Sequence, residues 1–174
     1  MIHLPIKFYA LLAAVPFTRN SVFIAAMSTS FDHYSAHYGQ VGGNDSSNNK
    51  NSRAAVVFLH GLGDNSEGWS SLEQMLPAIC PRLGSDSIHY AFPQAPVIGI
   101  TLNGGGRVPG WFDLYDWPID TTSRDDHIGQ LKAVNMLEET IEKIEREEGI
   151  PASRIVVGGF AQGGALAMLS AYSR

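Results

Sequence analysis

Apolar positions along this chain change their spacing from segment to segment, and each change marks a strand, a helix or a turn. Ala54-Ala55-Val56-Val57-Phe58-Leu59 is a continuous apolar run rich in β-formers, the pattern of a strand buried on both faces. It stops at the turn-like His60-Gly61-Leu62-Gly63-Asp64-Asn65. From Ser66 to Cys80, Trp69, Leu72, Met75, Leu76 and Ile79 fall at helical spacing, which predicts a helix stopped by Pro81. Ile88 to Phe92 reads as a second strand, closed by Pro93-Gln94-Ala95-Pro96. Gly104 to Asp113 is rich in glycine and aromatics and reads as a loop.

A long helix is expected over about Asp125 to Glu148. Ile128, Leu131, Val134, Leu137, Ile141 and Ile144 recur there every three or four residues, with Glu142 and Arg146 as a supporting i,i+4 pair. Gly149 and Pro151 mark its end. Arg154 to Gly158 reads as a short buried strand, and Gly164 to Tyr172 as a helix of small and apolar residues. Strands that alternate with helices imply parallel strands joined by crossovers, hence an α/β sheet flanked by helices.

The beginning of the chain does not share this pattern. Residues 1–31 contain no acid and two strong bases, Lys7 and Arg19, around the apolar runs Phe8 to Phe17 and Val22 to Ala26. Residues 1–27 fit a secretory or organelle leader equally well as an upstream extension with Met27 as the working start. Neither apolar run reaches the about 20 residues that a bilayer span requires, so no stable membrane span is expected. Residues 28–52 read as a flexible segment: from Gly39 to Ser52 the composition shifts to Gly, Asn, Ser and Gln, which cannot build a core. The folded domain is expected over residues 53–174.

Composition narrows the function. A net charge of −5 and a pI near 5.6 argue against a nucleic-acid partner. One cysteine, Cys80, excludes an internal disulfide framework and points to a reducing, cytoplasmic setting; its apolar surroundings suggest a buried thiol. No His or Cys spacing suggests a metal, and no cofactor is expected. Gly61-Leu62-Gly63 lacks the third glycine of a dinucleotide loop, Ser66 standing there instead, and no Walker lysine follows any glycine turn.

The most telling segment is Gly159-Phe160-Ala161-Gln162-Gly163, set between a strand and a helix. A strand, a Gly-x-Ser-x-Gly turn and a helix form the nucleophile elbow of serine hydrolases, which lifts a hydroxyl above the sheet edge. Here the frame is complete and alanine stands at its centre. If the elbow geometry survives, Ala161 must adopt a positive φ.

Further segments extend the pattern. His60-Gly61-Leu62-Gly63-Asp64, Trp69, Pro93-Gln94-Ala95-Pro96, Thr101-Leu102-Asn103, Trp111-Phe112-Asp113, Gly149-Ile150-Pro151 and Gly158 to Ala165 occur in one order. In these motifs, over Val56 to Tyr172, the chain resembles the acyl-protein thioesterase and carboxylesterase (lysophospholipase-like) family of α/β-hydrolases. The resemblance implies hydrolysis of acyl thioesters or carboxylic esters by a serine nucleophile. It places the backbone N–H groups of Leu62 and Gln162 in an oxyanion hole, where preplaced donors meet the charge of a tetrahedral intermediate. It also puts Leu102 and Trp111 along an acyl-chain channel, although an aromatic such as Trp111 equally suits core packing. His60, just before the glycine turn, reads as structural rather than catalytic.

Two departures from the family pattern stand out. Ala161 has no hydroxyl, and Gln162 to Arg174 contains no Asp, Glu or His, whereas the family order is nucleophile, acid, histidine. Asp113, Asp116, Asp125, Asp126 and His127 all lie upstream, in the wrong order to replace them. The expected fold is therefore a truncated α/β-hydrolase with its C-terminal strands missing and the elbow strand left as an edge. The chain as written is expected to be inactive; the alternative is a pseudoenzyme that holds acyl chains or acylated proteins.

Overall fold

A computed structural model describes residues 53–173 and the backbone of Phe23–Ala26. The leader reading of residues 1–27, apart from Phe23–Ala26, and the connector reading of 28–52 lie outside the described residues. Four strands form a parallel sheet in the order β1-β6-β2-β3, with β1 at Phe23–Ala26, β2 at Ala54–Leu59, β3 at Ile88–Ala91 and β6 at Ile155–Gly159. The apolar run 54–59 becomes β2, flanked on both sides, and its Ala55, Val57 and Leu59 are fully buried.

The long helix is α3, His127–Glu148, and the helix after the elbow is α4, Gln162–Tyr172. Val134, Leu137, Ile141 and Ile144 of α3 and Leu166 and Ala167 of α4 share one core with Val57, Leu59, Ile155 and Val157 of the sheet. The periodicity of α3 holds in its later turns and fails at Ile128 and Leu131, which are 70% and 62% exposed. Helix geometry explains this. At 3.6 residues per turn Ile128 lies about 180° and Leu131 about 120° round the helix from Leu137. Repeated steps of three drift off the face that Ala133, Val134, Leu137, Ile141 and Ile144 bury, and in the first turns the half-buried Gly129 and Gln130 take that face instead. Arg146 also departs from the expected pairing, its Nη2 lying 3.5 Å from Glu147 rather than beside Glu142.

The helix expected over 66–80 is broken in two: α1, Ser66–Trp69, and α2, Leu72–Ile79. Ser70 causes the break. Its amide (3.2 Å) and hydroxyl (2.8 Å) both donate to the Glu67 carbonyl, the acceptor that the Ser71 N–H of a continuous helix would need. Pro77 lies inside α2 and removes a further ladder donor. Only Leu72 of the expected stripe is buried; Met75 and Ile79 are exposed. Trp69 turns to the other face of the sheet, its ring 4.7 Å from Phe58 and 5.4 Å from Phe160. Cys80, at the end of α2, is half-buried rather than buried.

Two further findings differ from the sequence reading. The stretch read as a loop, Gly104 to Asp113, contains β5 (Gly106–Pro109), which forms a hairpin with β4 (Val97–Ile100) just before it, paired antiparallel from Val97↔Pro109 to Ile100↔Gly106. The β-branched residues before Asn103-Gly104 carried that signal, because Asn-Gly is a strong turn former. The elbow strand is also not an edge. β1 pairs with β6 from Phe23↔Val156 to Ala26↔Gly159, so β6 has a parallel neighbour on each side. An open strand edge presents unpaired N–H and C=O groups that any extended segment can satisfy.

Candidate active site at a nucleophile elbow

The chain leaves β6 at Gly159, turns through Phe160 and Ala161, and enters α4 at Gln162. Ala161 has φ 47° and ψ −113°, and among the described residues it is the sole non-glycine with positive φ. Such a conformation costs an L-residue on the order of 1–3 kcal/mol and persists only where the surroundings impose it. Here Phe160 N–H donates to Leu59 O (2.9 Å), Gly163 N–H to Phe160 O (2.9 Å) and Ala165 N–H to Ala161 O (3.0 Å). The turn is pinned from both sides.

The flanking glycines are steric necessities. A Cβ at Gly159 would collide with the Gly163 carbonyl group, and one at Gly163 would collide with the carbonyl of Leu59. The first turn of α4 thus lies backbone-to-backbone against the ends of β6 and β2. Ala161 itself is exposed at the tip, its methyl group where an elbow presents its hydroxyl.

Next to it runs the turn after β2. A Cβ built on Gly61 would lie 3.5 Å from the Ala161 Cβ and 3.0 Å from Phe160 Cδ1, so this turn borders the elbow directly. Among the described residues, neither the Leu62 nor the Gln162 backbone N–H meets an acceptor. His60 is 1% exposed and has a structural environment. Its Nε2 accepts from Ala95 N–H at 3.0 Å, and its Nδ1, 2.8 Å from the Gly61 carbonyl, carries the proton. Both ring nitrogens serve backbone groups, and Gln94 Nε2 adds a contact at 3.2 Å.

Trp111 is 3% exposed and belongs to the main core. Its indole N–H donates to His60 O at 2.8 Å, with ring centroids 5.3 Å apart. One side of Trp111 faces a cavity of about 270 Å³ that is also lined by Leu59, Met136, Leu137, Thr140 and Lys143. Leu102 sits elsewhere, on the turn after β4, and is 41% exposed. The structure therefore gathers Leu62, Trp111, Ala161 and Gln162 around one turn and leaves Leu102 on the hairpin.

The upstream acids have architectural partners. Asp113 accepts from the Thr101 amide (2.7 Å) and hydroxyl (2.5 Å), tying the hairpin to the segment after Trp111. Asp126 caps α3 through Gly129 N–H (2.9 Å) and also accepts Asp113 N–H (2.9 Å). Desolvation opposes ionisation of Asp113, but the Thr101 and Leu114 hydrogen bonds and the Arg124 charge outweigh it and hold the carboxyl below its ordinary value. Sequence reading missed the side chain of Gln162, which is buried with a hydrogen bond at each polar atom. Its Oε1 accepts Trp111 N–H (2.9 Å) and its Nε2 donates to Phe112 O (2.7 Å). A glutamine beside a catalytic position gives no sign in one dimension that its amide will reach fifty residues back.

A parallel sheet, a positive-φ elbow between sterically required glycines and a following helix together define an α/β-hydrolase. Comparison with known proteins agrees. A family model described as phospholipase/carboxylesterase matches residues 46–174, and the chain belongs to that family. It is 40% identical over 121 residues to acyl-protein thioesterase 1 of Candida albicans, covering 70% of this chain and 51% of the relative. The corresponding protein of Saccharomyces cerevisiae is 40% identical over 116 residues, with 67% and 50% covered. Arabidopsis thaliana SOBER1 superimposes with a TM-score of 0.61 at 30% identity, covering 68% of this chain and 54% of that one. Zea mays acyl-protein thioesterase 2 gives a TM-score of 0.56 at 33% identity, with 68% and 46% covered. The chain spans about half the length of the curated relatives it matches.

Two outcomes follow from this geometry. Ala161→Gly removes the positive-φ penalty, and urea unfolding should show a gain of about 1 kcal/mol after the glycine entropy cost is subtracted. An unchanged or lower stability would mean that the turn is not strained. Asp113 has a lowered folded-state pKa, so its stabilisation is present above the unfolded value, about 4, and is lost as pH falls through the folded one. Unfolding of Asp113→Asn should therefore depend less on pH below about 4 than that of the parent chain.

Proposed function

We propose that this chain comes from a lineage that hydrolyses acyl thioesters or carboxylic esters, and that it is catalytically incompetent as written. The observation that carries this reading is Ala161, an exposed methyl on a strained, fully pinned elbow. In the active form of such a site, the hydroxyl at this position attacks the acyl carbonyl while a histidine accepts its proton. The Leu62 and Gln162 N–H groups would then stabilise the oxyanion, the alcohol or thiol leaves, and water releases the carboxylic acid. Alanine has no lone pair to begin the sequence. His60, the histidine next to this turn, is buried with both ring nitrogens held by backbone groups and is not placed to act as that base.

Losing one triad member typically lowers kcat by about 10⁴- to 10⁶-fold. The 174-residue chain should leave a p-nitrophenyl ester at its spontaneous rate, and Ala161→Ser in the same chain should do no better. Strong recovery in that variant would show that an acid and a base are already in place and would overturn the proposal of incompetence.

A second reading is favoured by the cavity beside Trp111. Leu59, Trp111, Met136 and Leu137 give it an apolar side, alongside the polar Gln94, Glu139, Thr140 and Lys143. On this reading the frame retains affinity for an acyl chain, with Trp111 at the cavity and Leu102 on the hairpin as contact residues. Calorimetric titration with a medium-chain fatty acid should give saturable heat that falls in Leu102→Ala. Absence of binding to monodisperse protein would eliminate this reading. The acidic balance and the single half-buried thiol support a reducing, cytoplasmic setting for either role.

A further inference from the structure

The two N–H groups proposed above as oxyanion donors lie a hundred residues apart, Leu62 after β2 and Gln162 at the start of α4. Such a pair stabilises charge only if its donors keep a fixed separation, because its advantage over water lies in needing no reorganisation. Each donor is a backbone group in a turn. What holds one turn relative to the other therefore decides whether the site works.

The segment Pro109 to Trp111 touches both. Trp111 Nε1–H donates to His60 O at 2.8 Å, and Pro109 O accepts Gly63 N–H at 2.7 Å. These two bonds lie on either side of Leu62 and hold its peptide from both ends. Trp111 N–H in turn donates to Gln162 Oε1 at 2.9 Å, and Gln162 Nε2 donates to Phe112 O at 2.7 Å. Both donor turns are thus fastened to the same few residues. Trp111 alone bonds to both, through its indole to one and through its backbone amide to the other.

Burial makes the link stiff. Trp111 is 3% exposed, Gln162 7% and His60 1%, so water competes poorly for any of these bonds. A Cβ built on Gly110 would lie 2.8 Å from Leu62 Cδ1, so the segment also packs directly on the Leu62 side chain. Filling the core requires only an aromatic ring of about this size. An indole N–H aimed at His60 O is an additional requirement, which phenylalanine would not meet.

We infer that Trp111, with the Gln162 carboxamide, is a positioning residue that sets the distance between the Leu62 and Gln162 N–H donors. The inference rests on the oxyanion reading of those two amides, and its test separates the two. ¹⁵N-labelled protein is titrated with octanoate, a carboxylate that can occupy an oxyanion site while its chain enters an apolar one. The Leu62 and Gln162 amide resonances should move together with one dissociation constant, and the Trp111 indole N–H should move with them.

In Trp111→Phe, the Gln162 amide should still respond. The Leu62 amide should lose its concerted shift, and octanoate affinity should fall about tenfold, the scale of one buried hydrogen bond. Identical titrations in parent and variant would overturn the positioning role while leaving the oxyanion reading intact. If neither amide moves in the parent chain, the oxyanion reading fails and the positioning role falls with it. Should Trp111→Phe not fold, the parent titration still decides. An indole N–H that stays still while both amides shift would overturn the link.

Discussion

No side-chain carbon fits where the first turn of α4 meets the ends of β6 and β2. Gly159 faces the Gly163 carbonyl, and Gly163 faces that of Leu59. This backbone-on-backbone packing forces the reversal between strand and helix into a space that a relaxed turn cannot fill, and Ala161 takes up the strain at φ 47°. The same packing brings the turn after β2 alongside the elbow and fixes where Phe160 and Gln162 point. The Gln162 carboxamide then holds Trp111 and Phe112, and Trp111 holds His60. Most of the polar architecture at this end of the sheet follows from two missing Cβ atoms.

That constraint does not depend on which residue stands at its centre. Serine hydrolases bear the strain because it presents a nucleophile, yet here the strain persists with a methyl group. Nothing local could relax it, since the glycines, the Leu59 carbonyl and the helix start are all still present. The frame holds because the sheet and helix need the same close approach to bury Val157, Leu166 and Ala167.

Much of this was legible in one dimension, for physical reasons that differ between elements. β2 and the later turns of α3 lie wholly against the core, so their apolar periods match their burial. The elbow was legible because steric necessity leaves glycines in the sequence. Ile128 and Leu131 misled because repeated steps of three fall short of a 3.6-residue turn and drift off the buried face. The break at Ser70 depends on one hydroxyl choosing a carbonyl, and the pairing of Phe23–Ala26 with β6 joins distant parts of the chain. Neither leaves a local trace. The carboxamide of Gln162 is the clearest case, because its partners lie in a segment that sequence alone suggested was a loop.

Asp126 gives this arrangement a mechanical aspect. One carboxylate oxygen caps the first turn of α3, and the other holds the amide of Asp113, whose own carboxylate grips Thr101 at the end of β4. Hairpin and long helix therefore share a single rivet. Because α3 also packs against α4, the hairpin is joined through two carboxylates and one helix to the element that begins at the elbow.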